Sequence, residues 1–147
     1  MRVEINQDQT KESVYVEIHC REVTGEVSKL KRYIDNFGTG IRASDDNTTY
    51  MVRAGEILYI ESVDKKTFIY TDKRVLSTES RLYELVEMLD SRDFFRCSKS
   101  VIINLNKVEK LKPEITRNIL ATLTNGEVVV ISRRYASELK KLLGIGK

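Results

Sequence analysis

The sequence predicts an α+β fold, mainly antiparallel β in small sheets with a flanking helix, preceded by a short strand-helix unit at the N-terminus. Three observations lead there. β-branched and aromatic runs, separated by short polar turns, fill most of the chain after Ile41. Asn125-Gly126 stands between two apolar runs, the strongest short-range hairpin signal. Leu82, Leu85, Val86 and Leu89 keep the i, i+3, i+4, i+7 spacing of a single helix face.

In order along the chain, Val14, Val16, Ile18 and Cys20 alternate with Tyr15, Glu17 and His19, which predicts a half-buried strand over Ser13 to Cys20. Thr24 is placed to cap a helix whose Val27, Leu30, Ile34 and Phe37 share a side, and Gly38 is placed to end it. An antiparallel meander is expected over Thr48–Arg53, Ile57–Glu61, Thr67–Thr71 and Arg74–Ser77, with turns at Asp64-Lys65-Lys66 and Asp72-Lys73. The leucine-rich helix then spans Thr78 to Asp90. Strands follow at Val101–Ile103, Val108–Leu111, Ile119–Leu123 and Val128–Ser132, the last two joined by Asn125-Gly126 in a type I′ turn with both central residues at positive φ. Tyr135–Leu143 closes the chain as a helix with Leu139, Leu142 and Leu143 inward and Gly144 just past its end. The composition shifts at Ile41, and the chain is expected to divide into a short unit of residues 1–44 and a larger domain of residues 45–147.

A chain of 147 residues, 41% hydrophobic, with one Pro and seven Gly, buries a core and leaves little room for a flexible linker. No run approaches the roughly 20 apolar residues of a membrane span, and Met1 to Thr10 are polar, so a cytoplasmic protein is expected. Cys20 and Cys97 have no CxxC spacing and read as small buried hydrophobes rather than a disulfide.

Catalytic chemistry finds no footing. His19 is the only histidine and lies on the polar side of the predicted N-terminal strand, so an exposed strand histidine is expected in preference to a metal ligand. Gly38-Thr39-Gly40 follows a helix instead of opening one and reads as a turn. Asp45-Asp46 reads as a solvated loop beside Asn47. No cofactor, metal or small-molecule substrate is implied.

Charge points elsewhere. Residues 1–95 carry 14 Lys and Arg against 18 Asp and Glu, a net −4, whereas residues 96–147 carry 11 against 4, a net +7. Clustered cations release counterions when they meet a phosphate backbone, so this polarity suits nucleic acid. Lys65, Lys66, Lys99, Arg133 and Arg134 each fall at a strand end or in a loop, where the bland alternative is a solvated rim. Arg133-Arg134 ends an apolar strand beside Tyr135, and Arg forks onto guanine or phosphate as Lys cannot, making Arg133 the candidate for reading a base. Ser98, Lys99 and Ser100 offer hydroxyl and ammonium donors suited to phosphate, with Phe95 and Cys97 as anchors. Asn104 reads as a turn former or backbone cap.

Four ordered motifs carry a resemblance: Ile57-Leu58-Tyr59-Ile60-Glu61-Ser62, Phe94-Phe95-Arg96-Cys97-Ser98-Lys99-Ser100 through Asn104, Asn125-Gly126, and Ser132-Arg133-Arg134-Tyr135. Over about residues 45 to 145 the chain resembles the LytTR family of bacterial DNA-binding domains. The resemblance implies an elongated, mainly β domain whose loops enter successive major grooves at direct repeats in promoters, touching DNA through Lys65 and Lys66, Ser98 to Ser100, and Arg133 and Arg134. The family commonly has His where this chain has Ser98, so a shorter side chain reaches toward the base there and Lys99 is expected to supply a phosphate contact.

Many members carry a phosphorylated receiver domain, for which the N-terminal unit is too short. The resemblance is to stand-alone, response-regulator-like members. It implies a homodimer on duplex DNA and a small membrane-protein antagonist docking on Ser13 to Phe37, with dimerisation as the alternative role of that regulatory unit. Two alternatives stand beside this one: a protein-interaction adaptor whose basic face meets an acidic partner, and an RNA-binding domain stacking bases on Tyr59, Phe68 or Tyr70.

Overall fold

The computed structural model describes residues 1–35, 37 and 40–144. Helix α1 spans Gly25–Asp35 and is followed by strands β1 Ile41–Asp45, β2 Thr48–Val52, β3 Ile57–Val63, β4 Lys66–Thr71 and β5 Val75–Thr78. Helix α2, Leu82–Met88, leads into β6 Phe94–Arg96 and β7 Val101–Asn104, then β8 Val108–Pro113, β9 Ile119–Leu123, β10 Val128–Ile131 and helix α3 Arg133–Leu143. The first seven strands form one antiparallel sheet in the order β2-β1-β5-β4-β3-β7-β6, and the last three a second sheet in the order β10-β9-β8. The expected α+β, antiparallel class is the one observed, with the meander strands merged into one wide sheet.

Strand alternation sends side chains to two cores on opposite faces of that sheet. Ile60, Ile69, Leu76 and Ile102, from four neighbouring strands, pack with Leu82, Leu85 and Leu89 at α2. Leu58, Phe95, Val101 and Ile103 pack the other way, against Ile119, Ala121 and Leu123 of β9, Ile131 of β10, and Ala136 and Leu139 of α3. β3, β6 and β7 therefore belong to both cores. A register shift between Ile57 and Tyr59 lets the consecutive residues Leu58 and Tyr59 both serve the second core.

Several expectations need correction. Ser13 to Cys20 forms no strand: Val14, Tyr15 and Val16 are exposed, and so is Cys20, expected to be buried. Alternation specifies a strand only where a neighbour completes its hydrogen bonds and covers one face, and nothing among the described residues does so. His19 is exposed as expected, but outside any strand, 3.3 Å from the Glu17 carboxylate. Among the described residues before β1, α1 is the one regular element, and its start is capped by the Thr24 hydroxyl accepting from Val27 N at 3.3 Å. Val27, Leu30 and Ile34 are half-buried there, whereas Phe37 lies past the helix and is exposed. Gly38, expected to end this helix, and Thr39 lie outside the described residues.

The boundary placed after residue 44 falls inside β1, which pairs with β2 along its full length and with β5 at Ser44 opposite Ser77. Gly40 enters β1 at φ +76°, and a Cβ there would sit 2.8 Å from the Val52 carbonyl oxygen, so the position requires glycine. Asp45 ends β1 and Asp46 takes the hairpin tip at φ 42°, so the expected loop is a two-residue hairpin turn.

α2 is shorter than Thr78–Asp90. Thr78 ends β5 and donates its hydroxyl to the Arg42 carbonyl at 2.9 Å, and the helix is opened by Glu84, whose carboxylate accepts from Arg81 N at 2.9 Å. Leu82, Leu85 and Leu89 are buried, but Val86 faces solvent. The Asn125-Gly126 hairpin forms with a different turn: only Gly126 takes positive φ, 90°, while Gly126 N donates to Leu123 O and Leu123 N to Glu127 O. This is the three-residue loop with a left-handed glycine, not type I′. α3 begins two residues early, buries Ala136 and Leu139 with Tyr135 packed beside them, and leaves Leu142 and Leu143 largely exposed. Gly144 ends it at φ 68° as expected.

Leu85→Ala, which empties a fully buried position, is expected to cost about 2 to 5 kcal/mol in a denaturant melt. Val14→Ser, in the exposed segment, is expected to stay within about 0.5 kcal/mol of the parent.

Candidate nucleic-acid interface

The β3–β4 hairpin closes on Asp64 and Lys65, at φ 49° and 67°, with Val63 opposite Lys66. Two consecutive left-handed residues match the right-handed twist of the flanking strands, which makes this a tight tip with Lys65 and Lys66 exposed at its end. Arg81, just before α2, donates from Nη1 to the Lys65 carbonyl at 3.3 Å.

The β6–β7 hairpin carries Ser98, Lys99 and Ser100. Its ladder runs through Phe94 opposite Asn104 and Arg96 opposite Ile102, and is finished by Cys97 N donating to Val101 O at 3.0 Å. Ser98 N donates to the same oxygen at 3.4 Å, and the Ser98 hydroxyl accepts from Ser100 N at 3.2 Å. Arg96 lies across the loop, donating from Nε to the Ser98 carbonyl at 3.0 Å and from Nη2 to the Lys99 carbonyl. Lys99 is exposed and its two serine neighbours half-exposed.

The third segment is the start of α3. Ser132 occupies the cap position with its hydroxyl making no capping bond, and Arg133 N donates to the Asn118 side-chain oxygen at 2.9 Å. Arg133 and Arg134 are exposed, and the Arg134 guanidinium sits 5.7 Å from the centre of the Tyr135 ring.

Two main-chain hydrogen bonds link these segments. Ser62 N donates to Ser100 O at 2.8 Å, extending the β3–β7 ladder to the loop, and Ser132 N donates to Cys97 O at 2.9 Å. The Ser98–Ser100 loop thus has the β3–β4 hairpin on one side and the start of α3 on the other. Lys65 lies three residues beyond Ser62, roughly 10 Å of extended chain. Among the described residues, none of the ion pairs involves Lys65, Lys66, Lys99, Arg133 or Arg134. No carboxylate among the described residues neutralises any of these five charges.

Arg81, Arg96 and Asn118 join the site although the sequence pattern does not mark them as site residues. A signal existed for Arg96, which stands two residues before a Ser-Lys-Ser tip; nothing local marks Arg81 or Asn118. Asn104 proves to be the backbone cap expected: it is buried, accepts from Asn106 N at 3.0 Å and donates to Ile57 O at 2.8 Å. Tyr59 and Tyr70 stack on each other at 4.2 Å with 10° between planes, and burial together with Glu127 raises the Tyr59 hydroxyl pKa well above its ordinary value. With Tyr59 packed against the second core, the pair is not an open platform for bases. Among the described residues no group of three or more His, Cys, Asp or Glu is placed to hold a metal ion, and no helix is long and apolar enough to cross a membrane.

Antiparallel sheets with unpaired cations at hairpin tips and a helix start have the architecture of a nucleic-acid-binding module. The family model described as the LytTr DNA-binding domain matches residues 47–144. A solved LytTr DNA-binding domain from Bacillus cereus superposes with a TM-score of 0.70 at 29% sequence identity, covering 73% of this chain and 98% of that one. The sensory transduction protein LytT of Bacillus anthracis is 30% identical over 139 residues, 95% of this chain and 52% of its own length. The transcriptional regulatory protein YpdB of Escherichia coli K12 is 27% identical over 99 residues, 67% of this chain and 41% of its own length. An HTH-type transcriptional regulator of uncharacterised role from Staphylococcus aureus is 25% identical over 143 residues, 96% of this chain and 95% of its own. The chain spans about half the length of LytT. It belongs to the LytTR family of DNA-binding domains.

Cys97, fully buried beside the loop, has its thiol pushed up to about 12 by burial, whereas Cys20 is exposed. Thiolate is the reactive form, so alkylation of the native protein at neutral pH is expected to label Cys20 alone, with Cys97 reacting only after denaturation. Mass spectrometry of the labelled peptides checks this. Fast native labelling of Cys97 would show the loop opening.

Proposed function

We propose that this protein is a bacterial transcription regulator that binds duplex DNA at direct-repeat promoter sites, with its loops in successive major grooves. Lys65 and Lys66 engage phosphate from the β3–β4 tip. Ser98, Lys99 and Ser100 fix the register in the middle, and Arg133 and Arg134 work at the start of α3, Arg133 forking onto a base edge and Arg134 onto the backbone. The observation that carries this is the pair of hydrogen bonds, Ser62 N to Ser100 O and Ser132 N to Cys97 O, that makes three distant cationic segments neighbours. That none of them pairs with a carboxylate among the described residues supports it, because each cation is then available to displace counterions.

One copy per repeat gives a homodimer on DNA, working in the cytoplasm without cofactor or catalysis. Residues 1–44 take the regulatory or dimerising role. The exposed Val14, Tyr15 and Val16 give that unit an apolar surface for a second subunit or a small membrane-protein antagonist.

Titration of fluorescent duplexes at several salt concentrations tests the assignment, using an operator selected from a random pool. Arg133→Ala is expected to lose about 1 to 3 kcal/mol on the operator and to relax the base preference at one position. Lys99→Ala should weaken operator and random duplex alike and reduce the salt slope by about 1. Equal losses on both DNAs for Arg133→Ala would remove it from base reading. Preference for single-stranded RNA over duplex would favour the RNA-binding alternative.

A further inference from the structure

Each of the three cationic tips is tied down by a side chain that is not itself one of the proposed contacts. Arg81 donates to the Lys65 carbonyl, Asn118 accepts from Arg133 N, and Arg96 donates to the carbonyls of both Ser98 and Lys99. Arg96 is the most demanding of these. It is half-buried, forms no ion pair with any carboxylate among the described residues, and sits in the same FRCSKS run as the loop it spans.

We infer that Arg96 is a positioning residue for DNA binding: its guanidinium fork braces the Ser98–Ser100 loop in the shape that presents Lys99 outward, and it does not itself contact phosphate. A three-residue hairpin loop has few backbone bonds of its own. Here the Ser98 and Lys99 carbonyls, which have no ladder partner, are taken up by Arg96, the Ser98 hydroxyl accepts from Ser100 N within the loop, and the Lys99 side chain is left exposed. The geometry needs a planar donor with two N–H groups at a fixed separation. Lysine carries the charge but no fork. An arginine already donating to two carbonyls also has less of its guanidinium free for an anion.

This assignment rests on the DNA-binding function proposed above, so its test includes a measurement made without DNA. In the free protein, ¹⁵N relaxation of the Ser98, Lys99 and Ser100 amides is expected to show order near that of rigid backbone, about 0.85, and to fall below about 0.6 in both Arg96→Ala and Arg96→Lys. Lys99→Ala should leave that order unchanged. In salt titrations with duplex DNA, both Arg96 variants should bind several-fold more weakly than the parent with an unchanged slope, because no phosphate contact is removed directly. Loss of a direct phosphate contact would instead lower the slope by about 0.9.

A loop that stays rigid in Arg96→Ala and Arg96→Lys overturns the brace. So does an Arg96→Lys protein that binds like the parent, or a slope lowered by Arg96→Ala and restored by Arg96→Lys, since charge alone would then suffice. If Arg96→Ala does not fold, Arg96→Lys decides by the same readouts. Should the parent show no preference for duplex DNA, the proposed function fails, and the relaxation data still decide whether Arg96 orders the loop.

Discussion

The constraint on which the rest of the molecule depends is that the β6–β7 hairpin is held from both faces. Phe94 and Ile102 are buried against α2 and the wide sheet, while Phe95, Cys97, Val101 and Ile103 are buried against the second sheet and α3. A hairpin takes its register from its turn, here closed by Cys97 N on Val101 O, and burial on both faces holds the strands in that register. The tip of such a hairpin inherits that precision. Ser98, Lys99 and Ser100 are therefore fixed in position although they lie at the surface, and both cores must form before the tip has a defined place.

The same hairpin transmits its position to the neighbouring segments through main-chain bonds rather than side-chain contacts. β3 is paired to β7 as far as Ser62 and Ser100, so the β3–β4 tip is placed by ladder geometry. The start of α3 is placed by Ser132 N on the Cys97 carbonyl and by Asn118. Backbone bonds leave the side chains free. Among the described residues, none of Lys65, Lys66, Lys99, Arg133 and Arg134 is engaged by a protein carboxylate.

Much of this organisation was legible in the sequence, and the failures have separate causes. β9 is legible to the residue, because Ile119, Ala121 and Leu123 alternate in a run bounded by turn formers. β1 is not legible because its buried residues, Ile41 and Ala43, are too few and one is too small to show a pattern; three residues of β6 show none. The alternation of Ser13 to Cys20 was real but unpartnered, and periodicity carries no information about partners. Turn chemistry misled once in a specific way: Asn125-Gly126 suggested two left-handed residues, but that conformation belongs to Asp64-Lys65, where the strand twist imposes it on a lysine. For the site, the cations could be read from charge and position. The bonds that bring them together join residues 38 and 35 positions apart, Ser62 with Ser100 and Cys97 with Ser132, and no local pattern announces them.

The central claim is that three chain segments act as neighbours along one duplex, with the Ser98–Ser100 loop between the other two. A DNA-cleaving iron chelate attached in turn at Lys65→Cys, Lys99→Cys and Arg134→Cys, in a Cys20→Ser background, measures this directly on a bound operator. The account predicts three clusters of cuts on one side of the helix, with those from position 99 lying between those from positions 65 and 134. Cuts on opposite sides of the duplex, or from one position alone, would contradict it.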